Sequence, residues 1–236
     1  MARLTRPDAV LFDFGGTLFD DTFDVLAGQR RMIELADGEP DPAEYARVAE
    51  ELAADIHHRR LESQLEHSGA SLTRVVGDCL GVSFPYTDAE LDLEFWKASD
   101  VCTPVPGAHE VLEMLSDQGV PMGMVSNLTF GKGVLEYELD RAGWRHYFQA
   151  VISSNDYGIR KPHKALFLGI AGRMGVDPHE CWYIGNWAPV DVLGAQRAGM
   201  TGIWLNRHGE TCPAEVSPDA EITCWEQFVE LWDEAV

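Results

Sequence analysis

The sequence predicts an α/β fold that combines a mainly parallel sheet with a separate helical segment. Three observations support this prediction. Four short apolar runs each end in polar residues, strand-like and helix-like stretches alternate after residue 107, and residues 20–101 contain no strand-like run. Regular alternation of strands and helices is typical of a parallel sheet with helices packed against it.

The first predicted strand begins at residue 9 and ends on Asp13, close to the glycines Gly15 and Gly16. Open α/β sheets place their chemistry at the carboxyl ends of their strands. Asp13 is therefore a candidate nucleophile that would form a covalent acyl intermediate. The alternative for an isolated Asp with nearby glycines is a residue that only caps a turn.

Helices are predicted for the part of the chain that follows. In the longest of them, apolar residues recur at the spacing of one helical face. The predicted helices span residues 23–35, 42–67, 71–80 and 88–98. A stretch rich in Pro and Gly at residues 104–107 then marks the return to alternating elements.

Strands and helices alternate through the rest of the chain. The predicted helices end near glycines, which commonly terminate helices. The predicted strands span residues 122–125, 150–153, 181–184 and 202–205, and the predicted helices span residues 108–118, 133–142, 163–174 and 190–198.

Polar side chains follow three of these later strands. They are, in chain order, Ser126 and Asn127, Lys161, and Asn186 with Asp191. A hydroxyl and an amide can hold the oxygens of an anion. The four apolar runs are thus expected to deliver Asp13 and these side chains to one edge of the sheet.

The order of these motifs resembles that of the haloacid dehalogenase-like hydrolase superfamily. Residues 13–18 resemble its first motif, Ser126-Asn127 its second, Lys161-Pro162 its third, and Gly185-Asn186 with Asp191 its fourth. The resemblance implies a Rossmann-like, three-layer core in which the aspartate attacks phosphorus or, in some members, carbon. The helical segment would be a cap, so the predicted division is core for residues 1–19, cap for 20–102 and core for 103–236.

The resemblance also implies roles for single residues. A lysine offsets the repulsion between an attacking carboxylate and a phosphoryl group, while hydroxyl and backbone groups orient the oxygens. The predicted catalytic residues are Asp13, Thr17, Ser126, Asn127, Lys161 and Asp191. Most phosphatases of the superfamily use Mg²⁺, and its predicted ligands here are Asp13, the carbonyl of Gly15, Asn186 and Asp191.

Two positions depart from the usual phosphatase pattern. Most such phosphatases carry a second Asp where this chain has Gly15, and acid–base assistance of that kind is worth about 100- to 10,000-fold. The groups that would have to replace it are Asp20, Asp21, His57, His58 or water. Asn186 stands where a metal-binding Asp is usual, so Mg²⁺ is expected to bind more weakly.

Both departures favour the dehalogenase branch, because a halide leaves without a proton and needs no Mg²⁺. Other details favour a phosphatase: Asp191 follows Asn186 by five residues, and Phe167 stands where dehalogenases usually have a tyrosine. The sequence therefore predicts a phosphatase acting on a small phosphorylated metabolite. The alternatives are a metal-independent 2-haloacid dehalogenase-like hydrolase and a catalytically weakened protein that binds a phosphorylated ligand.

The composition of the chain limits the kinds of partner that it is expected to bind. The 236 residues carry a formal net charge of −21, which argues against binding to nucleic acid or an anionic membrane. The five cysteines are scattered and predict neither a disulfide framework nor a zinc site. The first eight residues are too polar for a signal peptide, and 18 consecutive apolar residues occur nowhere. These features predict a cytoplasmic enzyme with a small-molecule substrate, and they leave its oligomeric state open.

Overall fold

A computed structural model describes residues 3–236, without the side chains of residues 57, 59–62 and 100. A six-stranded sheet has the order β5-β4-β1-β6-β7-β8, and every neighbouring pair in it is parallel. Its strands are β1 (Ala9–Phe12), β4 (Met122–Ser126), β5 (Phe148–Ser153), β6 (Cys181–Gly185), β7 (Thr201–Leu205) and β8 (Ala220–Ile222). The predicted α/β fold with a parallel sheet is confirmed.

Helices cover both faces of this sheet. They are α5 (Ala108–Asp117), α6 (Lys132–Arg141), α7 (Lys164–Met174), α8 (Asp191–Arg197) and α9 (Trp225–Glu234). Alternate residues of β1 face opposite layers: Val10 and Phe12 pack with α5, α6 and α9, whereas Ala9 and Leu11 pack with α7 and α8. Because β1 is buried on both faces, its sequence is apolar throughout.

Four further helices form a unit with its own apolar core. They are α1 (Val25–Leu35), α2 (Pro42–Ser63), α3 (Gly69–Leu80) and α4 (Asp88–Ser99). Met32, Tyr45, Val76 and Leu91, one from each helix, meet in its interior. The helices begin as the sequence suggests, since the carboxylate of Asp41, for example, accepts hydrogen bonds from the first backbone N–H groups of α2.

Two short strands join the helical unit to the sheet. β2 (Phe19–Phe23) pairs antiparallel with β3 (Asp100–Pro104). The expectation that residues 20–101 contain no strand is therefore wrong at both ends. The FDDTF sequence of β2 carries two charges and no apolar alternation, so its strand conformation depends on pairing with a distant segment. The predicted boundaries at residues 19/20 and 102/103 fall within this ribbon.

The second helix is shorter than predicted. It ends at Ser63, and Gln64 adopts a left-handed backbone conformation with φ 56°. Leu65 then forms an antiparallel bridge with Ile159, which lies two residues before Lys161. The segment predicted as the end of a helix thus contacts the sheet unit. No helix in residues 3–236 combines the length and the apolar character needed to cross a membrane.

Candidate active site

The predicted residues converge at the carboxyl edge of the sheet. β1, β4 and β6 are parallel neighbours, so the residues that follow them lie side by side. A cavity of about 600 Å³ opens there. The residues from the predicted motifs that line it include Asp13, Gly15, Ser126, Asn127, Lys161, Asn186 and Asp191.

Lys161 is the centre of a buried network at the bottom of this cavity. Its Nζ lies 2.7 Å from Oδ1 of Asp13 and 2.7 Å from Oδ1 of Asp191. It also donates to the hydroxyl of Tyr183 at 2.9 Å and to the carbonyl of Val125 at 3.1 Å. With only 3% of the residue exposed, the ammonium is fixed by protein groups alone.

Two carboxylates share this single ammonium, which leaves one negative charge in excess. Burial raises the pKa of Asp13 to about 6, although Lys161 opposes the rise; the nearby charge of Asp191 adds to it. Burial alone lowers the pKa of Lys161, but Asp13 and Asp191 more than reverse this effect and raise it. At neutral pH the lysine is therefore charged and Asp13 is ionised.

Asn127 lines the cavity, and its side chain is bonded to the backbone of Lys161. Its Nδ2 donates to the carbonyl of Lys161 at 3.0 Å, and its Oδ1 accepts from the N–H of Lys161 at 2.8 Å. Both polar atoms of the side chain thus hold the backbone of the lysine. Contact between this amide and the oxygens of an anion remains a prediction, since these bonds use only one of the two N–H groups of Nδ2.

Thr17 is brought near the site but does not line the cavity. The turn after Asp13 folds back on itself, with the N–H of Gly16 donating to the carbonyl of Phe19 at 2.7 Å. This turn directs Thr17 into the interior, where it is fully buried and its hydroxyl has no hydrogen-bond partner among the described residues. The role of Thr17 in orienting the oxygens of a substrate remains a prediction.

The two glycines of the same turn differ. Gly16 has φ 70°, and a Cβ there would lie 2.2 Å from Nδ2 of Asn186, so glycine is required. Gly15 is not in the left-handed region. A Cβ on Gly15 would meet only Oδ1 of Asp21, at 3.2 Å. Backbone geometry therefore demands glycine at position 16 and not at position 15.

Three residues at the site were not predicted from sequence. Tyr183 contacts Lys161 without lining the cavity, and it belongs to an apolar strand, so its hydroxyl carries no sequence signal. Arg160 and Arg207 line the wall, and each is ion-paired: Arg160 with Glu66 at 2.5 Å, Arg207 with Asp20 at 2.6 Å. One part of the cavity wall is aromatic. It contains Phe23 of β2, Trp96 of α4 and Phe130.

Asp21, which the sequence analysis named as one of several acids, lies in the same wall. Burial and the neighbouring charge of Asp20 raise the pKa of Asp21. The other named groups differ: the wall does not include His58, which is exposed on α2, and the side chain of His57 lies outside the described residues.

The predicted metal ligands present only oxygen donors. In residues 3–236, apart from the undescribed side chains, no three His, Cys, Asp or Glu residues form a metal-binding cluster. A metal would therefore also need the carbonyl of Gly15 and the amide oxygen of Asn186, beside Asp13 and Asp191. Mg²⁺ prefers such hard oxygen ligands and needs few carboxylates, so the donor set fits it.

Two bacterial proteins are similar along nearly the whole chain. Pyrimidine 5'-nucleotidase YjjG of Escherichia coli is 29% identical over 234 residues, which cover 95% of this chain and 97% of that protein. Phosphoglycolate phosphatase of Xanthomonas campestris pv. campestris is 28% identical over 241 residues, which cover 97% and 96%.

A solved structure shares the fold. The 2-haloacid dehalogenase of Pseudomonas syringae pv. Tomato superposes with a TM-score of 0.68 at 24% identity, over 99% of both chains. The sequence profile of haloacid dehalogenase-like hydrolases matches residues 7–199, and these residues include all four predicted motifs. The chain belongs to the haloacid dehalogenase-like hydrolases.

Proposed function

We propose that this hydrolase is a phosphatase that acts on a small phosphorylated metabolite through an aspartyl-phosphate intermediate. The observation that carries the proposal is the pair formed by Asp13 and Lys161, 2.7 Å apart at the inner end of an open cavity. A carboxylate that is ionised at neutral pH and faces a cavity is a competent nucleophile.

Charge balance supports a phosphatase that needs a metal. Asp13, Asp191 and Lys161 together carry one excess negative charge, and Arg160 and Arg207 are already paired with carboxylates. An anionic phosphoryl group would be repelled by this set unless another cation were added. Asp13, the Gly15 carbonyl, Asn186 and Asp191 would hold Mg²⁺, which when bound supplies that positive charge.

The chain's own residues then act in two stages. Asp13 forms a bond to phosphorus as the bond to the leaving oxygen breaks, while the positive charge of Lys161 offsets the charge on the phosphoryl group and Ser126 donates its hydroxyl to a non-bridging oxygen. Water then attacks phosphorus and releases Asp13. Asn127 and Tyr183 act as positioning residues, since Asn127 holds the backbone of the lysine and Tyr183 holds its ammonium.

The helical unit is proposed to serve as the cap that selects the substrate. Trp96 of α4 and Phe23 of β2 form part of the cavity wall, together with Phe130 of the sheet unit. The similar proteins are named for a nucleotide and a small organic phosphate, and both are phosphate monoesters of small molecules. A cavity of about 600 Å³ accommodates molecules of that size.

A dehalogenase is the second candidate, and Gly15 is the observation that favours it. Halide leaves without a proton, so the missing acid at this position would cost that reaction nothing. A haloacid also carries a carboxylate that must be bound. In the described part of the chain, each Lys or Arg that lines the cavity is already ion-paired, so none is left to bind that carboxylate. This favours the phosphatase.

Hydrolysis of p-nitrophenyl phosphate, with Mg²⁺ and with EDTA, tests the proposal. We expect metal-dependent turnover that Asp13→Asn lowers by at least about 1,000-fold, because the amide cannot attack phosphorus. Unchanged turnover in the Asp13→Asn protein would contradict the assignment of the nucleophile.

Chloride release from 2-chloropropionate in EDTA, without phosphatase activity, would establish the dehalogenase alternative. Binding of inorganic phosphate without turnover of either substrate would establish the weakened, ligand-binding alternative.

A further inference from the structure

Asp21 is a carboxylate of the cavity wall that takes no part in the ion pairs described above. Asp21 lies on β2 and lines the cavity, and no side chain of the described residues forms a hydrogen bond or ion pair with its carboxylate. Its neighbour Asp20 is engaged by Arg207, which donates to both carboxylate oxygens at 2.6 and 2.9 Å. Side chains of successive residues in a strand point to opposite sides, so the carboxylates of the two aspartates have different neighbours.

The position of Asp21 relative to Gly15 is specific. A Cβ built on Gly15 points at Oδ1 of Asp21, 3.2 Å away, and meets nothing else within 4 Å. The carboxyl group of an aspartate at position 15 would extend from that Cβ into the same space. The carboxyl of Asp21 therefore lies beside the space that a side chain at position 15 would enter.

We infer that Asp21 supplies the proton-transferring carboxyl group that this chain lacks at position 15. The inference rests on the proposed phosphatase function. As the bond between Asp13 and phosphorus forms and the bond to the leaving oxygen breaks, Asp21 gives its proton to that oxygen. As water then attacks phosphorus and the bond to Asp13 breaks, Asp21 takes the proton from the water, so atoms and charges balance over one cycle.

The other named groups are poorly placed for this role. Asp20 is held by Arg207, and His58 is exposed on α2 and does not line the cavity. Asp191 is fully buried, and its oxygens accept from Lys161 at 2.7 Å and from the N–H of Trp187 at 2.9 Å. Glu210 also lines the cavity, but among the described carboxylates of the wall only Asp21 lies beside position 15.

The test compares leaving groups of different basicity. p-Nitrophenolate leaves without protonation, whereas the alkoxide of glycerol 2-phosphate requires a proton. We expect Asp21→Asn to lower kcat/KM for glycerol 2-phosphate by about 100- to 10,000-fold and for p-nitrophenyl phosphate by less than about tenfold. Asp78→Asn, which removes an exposed carboxylate on α3, is the matched control and should change neither value.

A rescue variant separates proton transfer from a structural role. In Asp21→Ala the space beside position 15 is open, and the backbone there accepts a side chain. Adding Gly15→Asp should then restore hydrolysis of glycerol 2-phosphate at least about tenfold over Asp21→Ala alone, because the carboxyl returns to the same place.

Equal losses for the two substrates in Asp21→Asn, or no loss, would overturn the inference while leaving the proposed function intact. A wild-type protein that hydrolyses neither phosphate would overturn the proposed function, and the inference with it.

Discussion

Two groups of buried carboxylates differ in what neutralises them. At the sheet edge, Asp13 and Asp191 share the ammonium of Lys161. Where the helical unit meets the sheet unit, Glu66 pairs with Arg160, while Asp92 accepts from the backbone N–H groups of Ala70 and Gly131, at the N-termini of α3 and α6. The first group places two carboxylates and one ammonium at the cavity, and the second links the two units through an ion pair and backbone hydrogen bonds.

The two groups are also connected through the backbone. The N–H of Arg160 donates to the carbonyl of Gln64 at 2.9 Å, and the N–H of Glu66 donates to the carbonyl of Gly158 at 3.0 Å. The segment just before Lys161 is thus bound to the segment just after α2. The helical unit is therefore bonded to Arg160, the residue immediately before the buried lysine.

Removing the shared ammonium should have the largest effect. Lys161→Met leaves Asp13 and Asp191 buried without a cation, so we expect the free energy of unfolding to fall by about 3–5 kcal/mol. Urea unfolding measures this change. Adding Asp191→Asn removes one of the stranded charges and should recover part of the loss; a double variant less stable than Lys161→Met would contradict this account.

Breaking the pair between the units should cost less. The Glu66 side chain is fully buried but Arg160 is 12% exposed, so we expect Glu66→Ala to lower the free energy of unfolding by about 2–3 kcal/mol. The control is Glu51→Ala, since Glu51 pairs with Arg47 at 2.8 Å on the exposed face of α2 and its loss should cost under about 0.5 kcal/mol. Equal costs for the two substitutions would show that burial does not distinguish the pairs.

The smallest effect concerns pH. Burial raises the pKa of Asp92 to about 6, although the N–H groups of Gly131 and Ala70 oppose the rise. The folded protein therefore binds this proton more tightly than the unfolded chain, whose Asp has a pKa near 3.8. The contribution of Asp92 to stability is full below pH 4 and is lost as the pH rises through 6.

Asp92→Asn removes this titration. The free energy of unfolding of the wild type, measured relative to that of the variant, should therefore fall by about 1–3 kcal/mol between pH 4 and pH 7. Urea unfolding at several pH values measures it. Parallel pH profiles for the two proteins would contradict the raised pKa.

Much of the site followed from sequence because parallel strands end at the same edge. Polar residues after consecutive apolar runs must then meet, which is why Asp13, Lys161 and Asp191 were found together. What each side chain does there was less predictable. Asn127 and Thr17 match the family motifs, yet one holds the backbone of the lysine and the other lies inside the turn.

The sequence by itself determined the family, the parallel sheet and the carboxylate that faces the cavity, because these depend on local pattern and chain order. Only the tertiary structure decided between Asp20 and Asp21. The two are adjacent and chemically identical, and what separates them is Arg207, 187 residues further along the chain, which binds one of them and leaves the other facing the cavity. Such a contact is set by packing of distant segments, which no local pattern records.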